Sequence, residues 1–442
     1  MRLVHCLLAF VAFLLIRFLT PLEADIASGL ALLVVIAWLW LTEALHVSVT
    51  ALLVPFLAAL LGIFSLPKAL SHFSDPIIFL FLGGFALAAG LRQQGLDRWM
   101  AAWVMRRAGG EVGRAARWLF GLTALLSMWI SNTATAAMML PLALGLLAPL
   151  DYDRYRNTWI YVLLGVAFSA NIGGIGTLVG SPPNAIAAAA VGISFGQWLL
   201  WGLPLALVLL PIMDWMLRRV LKPALTAEVS VLDVNMAWSR SHTGMLLVFL
   251  LTVILWIFGA PLGEKLGISQ GYDAAVALLA LLLLHTFGLA SWREIEKSAD
   301  WGVLLLFGGG ITLSAALTVS GTGAWLAALV GGGFAVLPAL VVVALMVAFA
   351  MALTEVASNT ASAALLIPLF IGMTPDVNPV VVAVMVAVAT SCAFLLPVAT
   401  PPNAIIFGSG KVSQRAMIVN GGWVTLLAWP TLIAAAAIAL LF

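Results

Sequence analysis

Apolar runs of about 20 residues, the length that crosses a hydrocarbon core of about 30 Å as a helix, recur along nearly the whole chain. Ended by charges or turn residues, they fall approximately at 3–19, 27–45, 47–64, 76–91, 118–150, 159–190, 198–220, 245–260, 272–289, 301–319, 334–371, 379–407 and 415–441. No strand-like alternation accompanies them, so the pattern predicts an all-α polytopic membrane protein. Four of these runs contain polar, helix-breaking stretches: Ser131-Asn132-Thr133, residues 171–184, Ser358-Asn359-Thr360 and Thr400 to Asn403.

The breaks come in pairs. Residues 131–142 return as residues 358–369 with eight of twelve positions identical, and Gly180-Ser181-Pro182-Pro183-Asn184-Ala185-Ile186 is answered by Ala399-Thr400-Pro401-Pro402-Asn403-Ala404-Ile405. Gly83-Gly84 likewise answers Gly309-Gly310, with Trp99 and Trp325 equally far downstream. The chain therefore reads as a first span (1–24), a first repeat (25–225), a cytoplasmic linker (226–242) and a second repeat (243–442). Each repeat holds an odd number of spans, so the two are inverted. Paired interrupted segments within inverted repeats are the mark of a secondary transporter.

Segments 118–150 and 334–371 could each be one long helix, a tilted span or a re-entrant hairpin, and the positive charges arbitrate. If both are hairpins, loops on one side collect 17 of the 20 Lys and Arg, and the other side keeps only Arg17, Lys68 and Lys265. The positive-inside rule makes the rich side cytoplasmic. The expectation is about eleven spans plus two hairpins, one entering from each face, with the amino terminus inside and the carboxyl terminus outside.

Composition agrees: the 442 residues are 64% hydrophobic and 9% charged, with a mean hydropathy of +1.15, too little polar surface for a water-soluble globule. The net charge of +2 says little about partners, because what matters in a membrane chain is where the positive residues fall; no nucleic-acid partner is expected. Cys6 and Cys392 lie in apolar runs and suggest neither a disulfide framework nor a metal cluster. The amino terminus lacks a clean signal-peptide cleavage site and reads as a span.

Ser, Asn and Thr before an apolar run are ordinary helix N-caps. Two such triplets at the tips of two hairpins mean more, because an irregular polar turn at membrane depth is tolerated only inside protein or along a water-filled cavity. Helix amino termini there suit an anion. The amide oxygens of Asn132 and Asn359, hydroxyls such as Ser131, and backbone carbonyls suit sodium. The Pro-Pro-Asn stretches break their spans and are expected to leave carbonyls free. Glu355 could bind a cation or a proton, or sit at a water-facing hairpin edge. Glu43, His46, Asp75, His285 and Asp300 fall near span ends, and Trp38, Trp40, Trp198, Trp201 and Trp423 read as belt residues at headgroup level. A membrane-embedded hydrolase would need a nucleophile with a base, yet the signatures hold no His, Asp or Lys, so no enzyme is expected. A channel fits inverted broken repeats less well than alternating access does.

On these doubled signatures the chain resembles the divalent anion/sodium symporter family, the INDY-type dicarboxylate transporters, over essentially its whole length. The resemblance implies a homodimer in the cell inner membrane, working by an elevator mechanism. Its scaffold would comprise roughly 1–115 and 243–330, and its transport domain roughly 116–225 and 331–442. It implies that substrate is held by Asn132, Thr133, Ser181, Asn359, Thr360, Thr400 and Pro401. It also implies two sodium sites, one at Ser127, Ser131, Asn132 and Gly180, the other at Thr354, Ser358, Asn359 and Ala399. Both triplets end in Thr, as in the dicarboxylate group, which favours sodium-coupled import of succinate, malate or fumarate. Sodium-independent exchange, proton coupling through Glu355, and citrate or sulfate as cargo are the alternatives.

Overall fold

The computed structural model describes residues 2–108, 110–229, 238–268, 271–334 and 337–441; residues 230–237 of the expected linker lie outside the described residues. Helices dominate, as they must where no water pairs the backbone. After α1 (Arg2–Leu19), the first half runs α2 (Ala24–Thr42), α3 (Val47–Leu60), α4 (Leu66–Ser71), α5 (Pro76–Gln93), α6 (Leu96–Ala108), α7 (Val112–Ser127), α8 (Asn132–Leu147), α9 (Arg156–Ile175), α10 (Pro182–Val191) and α11 (Phe195–Leu221). The second half runs α12 (Arg240–Phe258), α13 (Ala260–Lys265), α14 (Tyr272–Thr286), α15 (Trp292–Ser298), α16 (Trp301–Val319), α17 (Thr322–Phe334), α18 (Ala339–Thr354), α19 (Asn359–Met373), α20 (Pro379–Ser391), α21 (Pro401–Gly408) and α22 (Gln414–Ala439).

Apart from α13, each helix from α2 to α11 has its counterpart in α12 to α22, and the packing repeats with the order. α5 lies on α14 as α16 lies on α3; α7 and α8 pack on α9 as α18 and α19 pack on α20; α21 meets α8 as α10 meets α19. Among the described residues eight helices are long and apolar enough to cross a membrane, and the shorter apolar helices α3, α14 and α20 occupy the remaining expected spans. The paired glycines permit the closest crossings: a Cβ at Gly83 would lie 2.7 Å from the Ala277 carbonyl oxygen, and one at Gly309 the same distance from that of Ala51.

Span ends are capped by the polar residues expected there. Asp75 accepts from the Ile77 amide at 2.9 Å, Asp300 from Val303 at 3.1 Å, and His46 from Ser48 at 3.3 Å. Two tryptophans depart from the belt reading. Trp40 and Trp198 are fully buried and donate to the Val47 and Ile175 carbonyls, so they pack the interior, whereas Trp38 and Trp423 are exposed as expected.

α7 and α8 are each 16 residues, joined by a short turn and packed on one another and on α9. α18 and α19 repeat this arrangement at 16 and 15 residues. These are the two hairpins, and the first begins at Val112, earlier than the pattern suggested.

Candidate substrate and cation site

At the first hairpin tip, Ser127 ends α7 and Ser131 caps α8, accepting from the Ala134 amide at 3.3 Å. The Ser127 hydroxyl lies 2.5 Å from Asn132 Oδ1 and 2.7 Å from the Ala170 carbonyl of α9. The second tip matches it: the Thr354 hydroxyl lies 2.7 Å both from Asn359 Oδ1 and from the Thr390 carbonyl of α20. At each tip one hydroxyl proton is shared between the hairpin asparagine and a carbonyl of the broken helix behind it.

The two broken spans come next. α9 stops at Ile175 and α10 starts at Pro182; α20 stops at Ser391 and α21 starts at Pro401. The Pro-Pro-Asn asparagines do something the sequence did not suggest. Asn184 Nδ2 donates to the Gly174 and Thr177 carbonyls at 2.8 and 2.7 Å, and Asn403 Nδ2 donates to the Ala393 and Leu396 carbonyls, both at 3.1 Å. The expectation of free carbonyls is corrected at those four positions: the asparagine stitches each break closed.

All four elements converge on one cavity of about 840 Å³. Every residue expected to touch substrate lines it: Asn132, Thr133, Ser181, Asn359, Thr360, Thr400 and Pro401. Of the residues expected to hold sodium, Ser131, Asn132, Gly180, Ser358, Asn359 and Ala399 line it too, whereas Ser127 and Thr354 are buried one layer back, against the asparagines. Phe81, Gly84, Phe85 and Ala88 of α5 form the facing wall, and Glu43, Lys297 and Asp300 also line the cavity.

The donor set suits a hard monovalent cation: neutral amide, hydroxyl and carbonyl oxygens at unwound helix ends. The packing around the first tip is close enough to need glycine. A Cβ at Gly180 would lie 2.6 Å from the Gly174 carbonyl oxygen, and one at Gly174 would lie 2.5 Å from Asn132 Oδ1.

Asn171 is the residue the sequence reading passed over, having merged it with the break. It sits inside α9, 1% exposed, and lines the cavity. Its Nδ2 crosses to the other repeat, donating to Thr400 Oγ1 at 3.1 Å and Asn403 Oδ1 at 3.3 Å. An amide buried in an otherwise apolar span was the available signal. Glu355 is corrected as well: it is 6% exposed, not at a water-facing edge.

Inverted halves, two hairpins and two broken spans around one polar cavity define a multi-pass membrane transporter. The fold is shared with solved transporters: the YdaH transporter of Alcanivorax borkumensis (TM-score 0.56, 14% identity, 84% of this chain and 86% of that one) and MtrF of Neisseria gonorrhoeae (TM-score 0.59, 12% identity, 98% and 93%). The chain belongs to the citrate transporter family, whose description matches residues 37–393. It is 46% identical to an uncharacterized transporter of Haemophilus influenzae, over 94% of this chain and 92% of that protein. It is 31% identical to the sodium-dependent dicarboxylate transporter SdcS of Staphylococcus saprophyticus, over 90% of this chain and 84% of that protein. The resemblance read from the doubled motifs is thereby established at the level of family.

Proposed function

We propose that this protein imports C4-dicarboxylates across the cell inner membrane by symport with sodium. The observation that carries the reading is the convergence of both Ser-Asn-Thr tips and both Pro-Pro turns on a single cavity. No Arg or Lys lies in the four signatures. A dianion there is held by helix amino termini, amides and hydroxyls, and its charge needs cations as partners.

In this reading Asn132 and Thr133 bind one carboxylate and Asn359 and Thr360 the other, with Ser181 and the Thr400-Pro401 turn closing the sides. One sodium is held by Ser127, Ser131, Asn132 and Gly180, the other by Thr354, Ser358, Asn359 and Ala399. The two hairpins with α9–α11 and α20–α22 move as one body against the remaining helices, in a homodimer whose scaffold makes the subunit contact. The cavity borders Glu43, Lys297 and Asp300, so with the amino terminus inside this conformation faces the cytoplasm.

Uptake of labelled succinate by proteoliposomes tests the reading. Uptake driven by an inward sodium gradient and blocked by malate supports it; uptake unchanged when choline replaces sodium refutes the coupling. The family description names citrate, and block by citrate but not malate would move the assignment to that cargo.

A further inference from the structure

Glu355 lies three residues before the Ser358-Asn359-Thr360 stretch and directly follows Thr354 at the turn of the second hairpin. One carboxylate oxygen accepts from the amides of Phe394 at 2.8 Å and Leu395 at 3.0 Å. The other accepts from Leu395 and Leu396, both at 3.1 Å. Three successive backbone N–H groups turned onto one anion form a nest. Every partner is a donor, so the contacts fit the ionised carboxylate; a carboxyl proton would point at an N–H.

The first hairpin has Met128 at the equivalent place. There the tie to the broken span is the Thr177 hydroxyl donating to the Met128 carbonyl. Both repeats therefore fasten hairpin to break, but only the second does so with a full negative charge. That charge is withdrawn from water, one residue from Thr354 and clamped to the stretch that leads to Ala399.

Resting on the sodium-coupled reading above, we infer that Glu355 makes the two cation sites unequal: the site at the second hairpin fills first and more tightly. A fixed anion in a low-dielectric setting attracts a nearby cation more strongly than neutral oxygens alone do. The first site, built only from neutral oxygens, has no such bias.

The test is thermal stabilisation of the purified full-length protein by sodium chloride, titrated against choline chloride at constant ionic strength without substrate. Two phases are expected, separated by about tenfold or more in sodium concentration, the difference that about 1.4 kcal/mol produces. Thr354→Val should remove the tighter phase and Ser127→Ala the weaker one. Glu355→Gln should shift the tighter phase to about tenfold higher sodium and merge the two.

A Glu355→Gln titration matching that of the native protein overturns the inference. So does loss of the weaker phase in Thr354→Val together with loss of the tighter one in Ser127→Ala, and that pair decides the matter even if Glu355→Gln does not fold. A native protein stabilised equally by sodium and choline would overturn the sodium reading itself, a result distinct from the others.

Discussion

Asn403→Ala removes the two hydrogen bonds by which this side chain closes the break in the second repeat, to the Ala393 and Leu396 carbonyls at 3.1 Å each. It also removes the acceptor for Asn171 Nδ2 at 3.3 Å. Asn403 is fully buried, and each carbonyl keeps one other donor, Asn171 Nδ2 for Ala393 at 3.4 Å and the Ala399 amide for Leu396 at 3.2 Å. Losing two buried hydrogen bonds whose acceptors stay singly paired costs about 1–3 kcal/mol. For a chain of 442 residues the unfolding entropy is large enough that this lowers the apparent Tm by about 1–3 °C. Thermal unfolding in detergent, followed by tryptophan fluorescence, reads the shift, and Asn184→Ala should behave alike. Asn403→Asp separates stitching from ligation: a carboxylate oxygen in place of Nδ2 faces two carbonyl oxygens and should destabilise at least as much. If Asn403 instead served as a cation ligand through Oδ1, the aspartate would preserve that role. A stable Asn403→Asp protein with retained uptake would refute the stitching argument.

Asn132→Ala and Asn359→Ala should abolish sodium-driven uptake while leaving the apparent Tm close to that of the native protein, because both side chains border the cavity; retained uptake in either would sink the site assignment. Gly309→Val should lower the apparent Tm, since even a Cβ would meet the Ala51 backbone of α3, and co-purified unfolded protein in size-exclusion chromatography would report it. Asp97 lies in the basic segment after α5, where burial holds its carboxyl above the usual carboxylate range. A raised folded-state value means the folded protein binds the proton more tightly, so stability is greater at low pH and falls as pH rises through that value. Asp97→Asn should flatten this dependence and stabilise above it, as read by Tm against pH.

The broad architecture was legible because it rests on repetition. Identical Ser-Asn-Thr and Pro-Pro-Asn stretches at matching intervals can be aligned without coordinates, and a count of Arg and Lys selects the hairpin topology. What stayed hidden depends on which way a side chain turns. Trp40 and Trp198 occupy span ends where belt residues are ordinary, but tertiary packing folds both inward onto backbone carbonyls. A proline pair predicts freed carbonyls; that an asparagine one or two residues later recaptures two of them requires the turn of the chain to be known. Asn171 binds across the repeats, a contact spanning 229 residues to Thr400 that no local pattern encodes.

The internal symmetry also describes a conformation other than this one. Matching Gly84 to Gly310 places Phe81, Phe85 and Ala88 of α5 opposite Phe307, Ile311 and Ser314 of α16. The α5 set walls the large cavity of about 840 Å³, whereas the α16 set lines a smaller one of about 190 Å³, closed by α10 and Pro368 of α19. If the proposed transport cycle exchanges the two repeats' conformations, the hairpin tips move from the α5 wall to the α16 wall, and one wall closes as the other opens. Ala88→Cys and Ser314→Cys, each made with Cys6 and Cys392 replaced, should therefore react with a membrane-impermeant thiol reagent from opposite sides. Conditions that raise labelling of one should lower labelling of the other. Simultaneous labelling of both positions from one side of the membrane would mean a continuous pore, and the alternating-access reading of this symmetry would fall.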